Sequence, residues 1–324
     1  MKILRGADRS ASKIGLIVVL LFGFAAALLG GSSRPDSIQT VALRPVSALF
    51  LIPVIYYFRA ELARTIRAPL ILLLLLGLWM AIQIIPLPPA LWQSLPGTGP
   101  VTELSAALGM SDVWRPISFV PFRTLGALGS LLVPLAALML PIAFGMRRSA
   151  ILMSVVVIGV LCALLGAFQL AGGPESALYY YEHVNRGSPV GFLANRNHAA
   201  VFFALALVTI AYVLSDTSRR QLPVWQKICL TGSFFVILTI GLISGSRAGL
   251  ITGLIALSAG LALLLLNNPW LGSSPKNGQL GRFARFKTWP VMAVLLVFLV
   301  AALFVAFGRI PALDRMAGAD PWTD

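Results

Sequence analysis

From Pro69 to Pro86 the chain reads PLILLLLLGLWMAIQIIP, with no charged side chain and a single amide, Gln83. Crossing the hydrocarbon core of a bilayer takes about 20 apolar residues in a helix, with a range of roughly 17–25. A run of this length and uniformity has no polar face to turn toward water. The same texture recurs along the chain. Spans are predicted near 14–30, 43–58, 69–86, 124–144, 150–171, 198–214, 228–244, 248–266 and 289–307. The second is the weakest, because Arg44 and Pro45 sit near its start. Gly and Pro inside the runs are tolerable in membrane helices. The expectation is an all-α, polytopic transmembrane bundle of about nine spans. Residues 1–324 would form one membrane domain, with no soluble domain, heptad seam or short repeat.

Composition leads to the same class. Of 324 residues, 58% are hydrophobic and 11% charged. Soluble domains carry about a quarter charged residues, so this chain could not cover a water-facing surface. Lipid removes that requirement. The net charge is +14, from 25 Lys+Arg against 11 Asp+Glu. A nucleic-acid binder would gather such charge on one surface, whereas here it is spread in small groups between apolar runs. Cys162 and Cys229 lie in or beside apolar runs without metal or redox spacing, and read as small buried side chains.

The placement of positive charge predicts orientation. The N-terminus, 59–68, 145–149, 215–227 and 267–288 hold 16 Lys+Arg, and the alternate segments, longer in total, hold 9. The N-terminus is therefore expected inside and the C-terminus outside. The weak second span is needed for this assignment. Without it, Arg219, Arg220 and the Lys276–Lys287 cluster would fall outside. Lys2, Arg5, Arg9 and Lys13 before the first run also fit a signal peptide. The length of the run and the spans that follow favour an uncleaved first span.

Two outer segments are long, 87–123 and 172–197. The first holds Pro88-Pro89, Pro96-Gly97, Gly99-Pro100, Trp92 and Trp114. Proline breaks helices and tryptophan favours the lipid–water boundary, so this segment is expected on the outer membrane surface. The second holds Tyr179-Tyr180-Tyr181, Glu182, His183, Asn185 and Arg186.

Polar clusters stand where two spans begin on that side. Gly191-Phe192-Leu193-Ala194-Asn195-Arg196-Asn197-His198 leads into the sixth span, and Ser244-Gly245-Ser246-Arg247-Ala248-Gly249 into the eighth. Asn197 and Ser246 are suitable N-caps. The open N–H groups and positive dipole ends of both helices would face outward, with an arginine beside each. A helix start with arginine suits phosphate or carboxylate. Ordinary capping and a snorkelling arginine would account for either cluster alone. Arg247 is the sharper case, because an ionisable residue at the membrane boundary needs a partner. His198 either points into the bundle or borders the headgroups. His183 beside Glu182 could form an acid/base pair, although adjacent residues need not face each other. No Ser-His-Asp signature, phosphate loop, HExxH or zinc spacing occurs.

At these residues the chain resembles a known superfamily. Gly191–His198, with one residue more between Phe192 and Asn195, is similar to the G-F-x-N-x-N-H lead-in of O-antigen ligases and polysaccharide polymerases, and Ser244–Gly249 to their S-x-S-R-x-G motif. Pro86-Leu87-Pro88-Pro89-Ala90-Leu91-Trp92, Pro96-Gly97 and Trp114-Arg115-Pro116-Ile117-Ser118 resemble an outer loop of such proteins, and the likeness extends over roughly 70–324. It implies a multi-pass protein of the bacterial inner membrane, with 87–123 and 172–197 as periplasmic loops. It also implies a metal-independent glycosyltransferase with no cofactor, acting in lipopolysaccharide or exopolysaccharide biosynthesis. The donor would be a glycan on undecaprenyl diphosphate, and the acceptor lipid A-core or another glycan. Arg247 would bind the donor diphosphate, assisted by Arg196 or Arg186 and flanked by Ser246, Asn195 and Asn197. Family members continue through a large periplasmic loop with a catalytic histidine and then further spans. Residues 308–324 read as the opening of that loop, so either the product is truncated or another residue or chain supplies the base. His183 and His198 are the histidines on hand. A non-catalytic membrane subunit and a transporter of lipid or anion remain the alternatives. A transporter would be expected to show paired broken helices near the midplane.

Overall fold

The computed structural model describes residues 9–34, 37–57, 64–215 and 222–266. The first eight predicted spans all fall on helix. They correspond to α1 (Arg9–Leu29), α2 (Ile38–Tyr57), α3 (Arg67–Ile84), a pair of segments, α8 (Arg148–Ala171), α9 (Arg196–Ser215), α10 (Val224–Ile243) and α11 (Arg247–Leu266). The pair, α6 (Pro121–Ser130) and α7 (Leu132–Ala143), covers the run predicted at 124–144. The ninth predicted span, 289–307, the Lys276–Lys287 cluster and the 308–324 segment lie outside the described residues.

Six helices are long and apolar enough to cross a membrane: Ile38–Tyr57, Arg64–Ile84, Pro121–Ala143, Arg148–Ala171, Arg196–Ser215 and Val224–Ile243. The apolar parts of α1 and α11, Ile14–Leu29 and Ile251–Leu263, are shorter. None of the six contains Asp or Glu. The chain is thus a mostly helical, multi-pass membrane protein. It divides into two compact units, Met1–Ala26 with Pro35–Met146, and Ala27–Arg34 with Arg147–Asp324.

In the first unit Phe22, Val54, Ala136, Met139, Leu140, Ala143 and Phe144 form the core. The Phe22 ring meets Phe50 edge-on at 5.3 Å, and Tyr57 lies 5.1 Å from Phe144. A Cβ on Gly15 would stand 2.5 Å from that of Phe144, so α1 passes close beside the end of α7. Small residues at such crossings are the usual device for packing helices in lipid, where apolar side chains gain nothing by leaving the tails. Helix α3 has no buried residue, and Leu72 and Leu74 are exposed. A helix apolar on every side is stable in that state only against lipid or other apolar surface.

The break between α6 and α7 follows from Pro134. It has no N–H to donate to the Ser130 carbonyl. The turn tightens there instead, with Leu131 N–H donating to the Leu128 carbonyl at 3.1 Å.

The 87–123 segment carries secondary structure of its own. Pro86–Leu87 (β1) pairs antiparallel with Arg115–Pro116 (β2), and α4 (Pro89–Trp92) and α5 (Gly99–Ala107) lie between. Trp114 is exposed, but Trp92 is 2% exposed, which corrects its expected place at the lipid boundary. Its indole N–H donates to the Val113 carbonyl at 3.0 Å, and the Arg115 guanidinium lies 5.5 Å over its ring. Gln93 adds a bond to the Ser111 carbonyl at 2.8 Å. A two-stranded pair this short cannot hold itself, so the indole supplies the core of the loop. Trp92→Ala is expected to cost about 3–5 kcal/mol locally. Limited proteolysis should then cut between residues 93 and 113 far faster than in the parent.

In the second unit α9 is the central helix and the most buried of the six. It presents Ala206 to Gly159 of α8, where a Cβ would come within 2.8 Å. On its other side Ala200 meets Gly249 and Ala211 meets Gly260, both on α11. These pairs follow the same order along both chains, so α9 and α11 run parallel in close contact. Their N-termini therefore share one end of the unit.

Candidate functional site

The two polar clusters, far apart in sequence, meet at those paired N-termini. The Ser246 hydroxyl donates to Asn197 Oδ1 at 2.7 Å and accepts the Gly249 N–H at 2.9 Å. Ser246 is therefore the N-cap of α11, as predicted, and is 2% exposed. The cap of α9 is a correction. Helix α9 starts at Arg196, and Asn195 accepts the Asn197 N–H on Oδ1 at 2.7 Å and the Ala199 N–H on its carbonyl at 3.0 Å. Asn197 lies two residues past the cap, and its side chain bridges to the neighbouring helix instead. Its NH2 group makes no hydrogen bond among the described residues.

The motif is held from behind by the chain around it. A Cβ on Gly191 (φ +61°) would overlap the Cys162 carbonyl and sulfur, so only glycine fits this turn against α8. Gln169, 1% exposed, clasps the same residue. Its Oε1 accepts the Gly191 N–H at 2.8 Å, and its Nε2 donates to the Gly191 and Leu178 carbonyls at 2.9 and 3.1 Å. From the other side, Gly31 accepts the Ala194 N–H at 2.7 Å and donates to the Tyr181 hydroxyl at 3.0 Å. Tyr181 in turn donates to the Leu28 carbonyl, and Tyr180 to the Phe192 carbonyl, both at 2.9 Å. Burial pushes both tyrosine pKa values up.

Gln169 and the two tyrosines are positioning residues. Sequence reading passed over Gln169. Its signal was an amide in the 150–171 run, where the other hydrogen-bonding side chains are Ser154 and Cys162. Gln169→Leu would strand the Gly191 N–H and two carbonyls. A buried group left unpaired costs about 1–3 kcal/mol. The variant should therefore melt earlier in detergent, and its 172–197 segment should be cut faster by protease.

Of the predicted basic residues, Arg247 is the first residue of α11 and is exposed. Arg196 opens α9 and is half-buried, and its guanidinium makes no hydrogen bond among the described residues. Its backbone N–H donates to Asn185 Oδ1 at 2.9 Å, while the Asn185 N–H donates to the Ala194 carbonyl at 2.9 Å. The 172–197 loop is thus tied to the start of α9. Arg186 reaches the Pro174 carbonyl at 3.0 Å within that loop and remains exposed.

The histidines do not form a catalytic arrangement on their own. His183 Nε2 lies 3.9 Å from Glu182 Oε1, with side chains 51% and 89% exposed. Such a solvated pair is worth little and orients nothing. His198 is exposed at the third position of α9.

Chemically, the arrangement gathers positive potential. Two parallel 20-residue helices bring their N-termini to one end, each equivalent to roughly half a positive charge, with the Arg196, Asn197 and Gly249 N–H groups already bonded to Asn185, Asn195 and Ser246. Arg196 and Arg247 stand on those same two turns. Phosphate oxygens are what such donors bind best. Comparison with protein families, with curated proteins and with solved structures finds no match for this chain.

Proposed function

We propose that this protein is a membrane glycosyltransferase of the O-antigen ligase type. In this reading it moves a glycan from undecaprenyl diphosphate to an acceptor at the periplasmic face of the bacterial inner membrane. The observation that carries the reading is the Ser246–Asn197 hydrogen bond. It joins the two motifs that resemble the superfamily, which 49 positions separate, at the starts of two parallel helices. Arg247 binds the donor diphosphate, with Arg196 beside it, while Asn197 offers its NH2 group and Ser246 and Asn195 fix the two helix starts. Arg186 lies on the loop tied to that site. Negative charge grows on the diphosphate as it leaves the sugar, and fixed donors aimed at it lower the barrier.

The acceptor hydroxyl needs a base. His198, on the first turn of α9, is nearer in the chain to these groups than His183. The test is transfer. Membranes carrying the chain, supplied with an undecaprenyl-diphosphate-linked fluorescent glycan and a lipid acceptor, should discharge the donor. Arg247→Ala should abolish the discharge. Equal discharge by membranes lacking the chain would remove the proposal.

The orientation has its own test. In a variant without Cys162 and Cys229, single cysteines at the exposed positions Asp112 and Glu182 should react with an impermeant thiol reagent applied to the periplasmic face. One at the exposed Ser149 should react only after the membrane is opened. The opposite pattern would reverse the orientation.

A further inference from the structure

The first unit contains an arginine that the proposed transfer does not use. Arg44 is the seventh residue of α2, the deepest cation in any of the six membrane-length helices. It is half-buried and packs on α6. Its Nε–H donates to the Ser130 hydroxyl at 3.1 Å, and that hydroxyl donates to the Gly126 carbonyl at 2.9 Å. A Cβ on Gly126 would stand 3.2 Å from Nη2 and 3.3 Å from Nη1, and one on Gly129 3.6 Å from Cδ. The guanidinium therefore lies against a glycine-lined face just before the α6–α7 break. Nothing in the described chain engages its two terminal NH2 groups by hydrogen bond.

A charge at this depth needs a counter-charge, and the six membrane-length helices among the described residues hold no carboxylate to supply it. Arg123 stands one turn before Gly126 on the same face of α6, since residues three apart are neighbours on a helix, and it is exposed. Close to the two arginines in sequence, Val41, Phe122 and Leu125 are exposed apolar side chains. Two guanidinium groups beside exposed apolar surface match a ligand with a phosphate head and hydrocarbon tails. We propose that Arg44 and Arg123 hold the phosphate of an anionic membrane lipid at the α2–α6 face. Arg44 would bind it with its terminal NH2 groups, and the tails would lie on Val41, Phe122 and Leu125. A planar guanidinium can take two phosphate oxygens at once, whereas lysine offers a point charge.

The test is titration of the full chain in detergent with phosphatidylglycerol, read by native mass spectrometry. Arg44→Ala is expected to bind the lipid about tenfold more weakly, with Arg44→Lys in between. Arg123→Ala, at an exposed position, should weaken binding several-fold without disturbing the fold. Retention of parental affinity by a well-folded Arg44→Ala would overturn the proposal. If Arg44→Ala does not fold, Arg123→Ala decides, and unchanged binding there overturns it equally. Inorganic phosphate at millimolar concentration should leave the lipid in place. Its displacement by phosphate would show a soluble-anion site instead of a lipid site.

Discussion

Gly191→Ala should reduce folded protein several-fold and lower its melting temperature in detergent. Two costs combine at this position. A non-glycine residue held at positive φ costs about 1–2 kcal/mol, and Gly191 has φ +61°. The added methyl would also overlap the Cys162 carbonyl and sulfur. Forcing extra volume into a packed site costs about 1–3 kcal/mol more. Native stability is about 5–15 kcal/mol, so the sum removes a large share of it. Gly173→Ala separates the two effects. Its φ is +75°, but nothing stands within 4 Å of the added carbon. It should therefore show the backbone cost alone and remain well folded. Equal melting of the two variants would mean that Gly191 does not pack against α8 as described.

The second large effect is expected at Arg247. Replacement by alanine should weaken binding of undecaprenyl diphosphate by about ten- to a hundredfold, the span of a charge-assisted hydrogen bond of roughly 1.5–3 kcal/mol. Arg247→Lys should recover only part, because lysine keeps the charge and loses the planar fork. A purely structural role would appear differently. Loss of a needed packing or pairing contact would lower the folded yield of Arg247→Ala and be restored to a similar degree by any long cation. Yield and binding must therefore be read together. A well-folded Arg247→Ala with parental affinity would exclude the assignment.

Much of the architecture was legible because lipid imposes a coarse requirement. Eight runs of apolar residues became eight helical stretches, with ends within a few residues of those predicted, since each must satisfy its own backbone. The interruption at Leu131 was less legible. Pro134 stood in the run, but membrane helices often absorb proline, so its presence alone did not fix a break. Trp92 shows the limit of reading residue types one at a time. Tryptophan favours the lipid boundary on average, whereas this indole closes a loop whose pairing partner, Arg115–Pro116, lies more than twenty residues on. At the candidate site the two clusters were visible as polar islands with arginine. Their meeting was not, because it depends on Gly249 against Ala200 and Gly260 against Ala211, contacts that bring two helices together across an intervening one. That approach also explains why Asn195 rather than Asn197 caps α9. Asn197 belongs to the face turned toward Ser246, a fact of packing and not of local sequence.

The most direct measurement of the central claim compares two carrier lipids on the parent protein in nanodiscs. Paired helix starts with Arg196 and Arg247 offer more donors than one phosphate can use. Undecaprenyl diphosphate should consequently bind at least about tenfold more tightly than the monophosphate, one added charge-assisted contact being worth that much. Ser246→Ala, which removes the hydrogen bond to Asn197 and the cap of α11, should shrink the ratio. Equal affinity for the two lipids, unchanged by Ser246→Ala, would contradict the account.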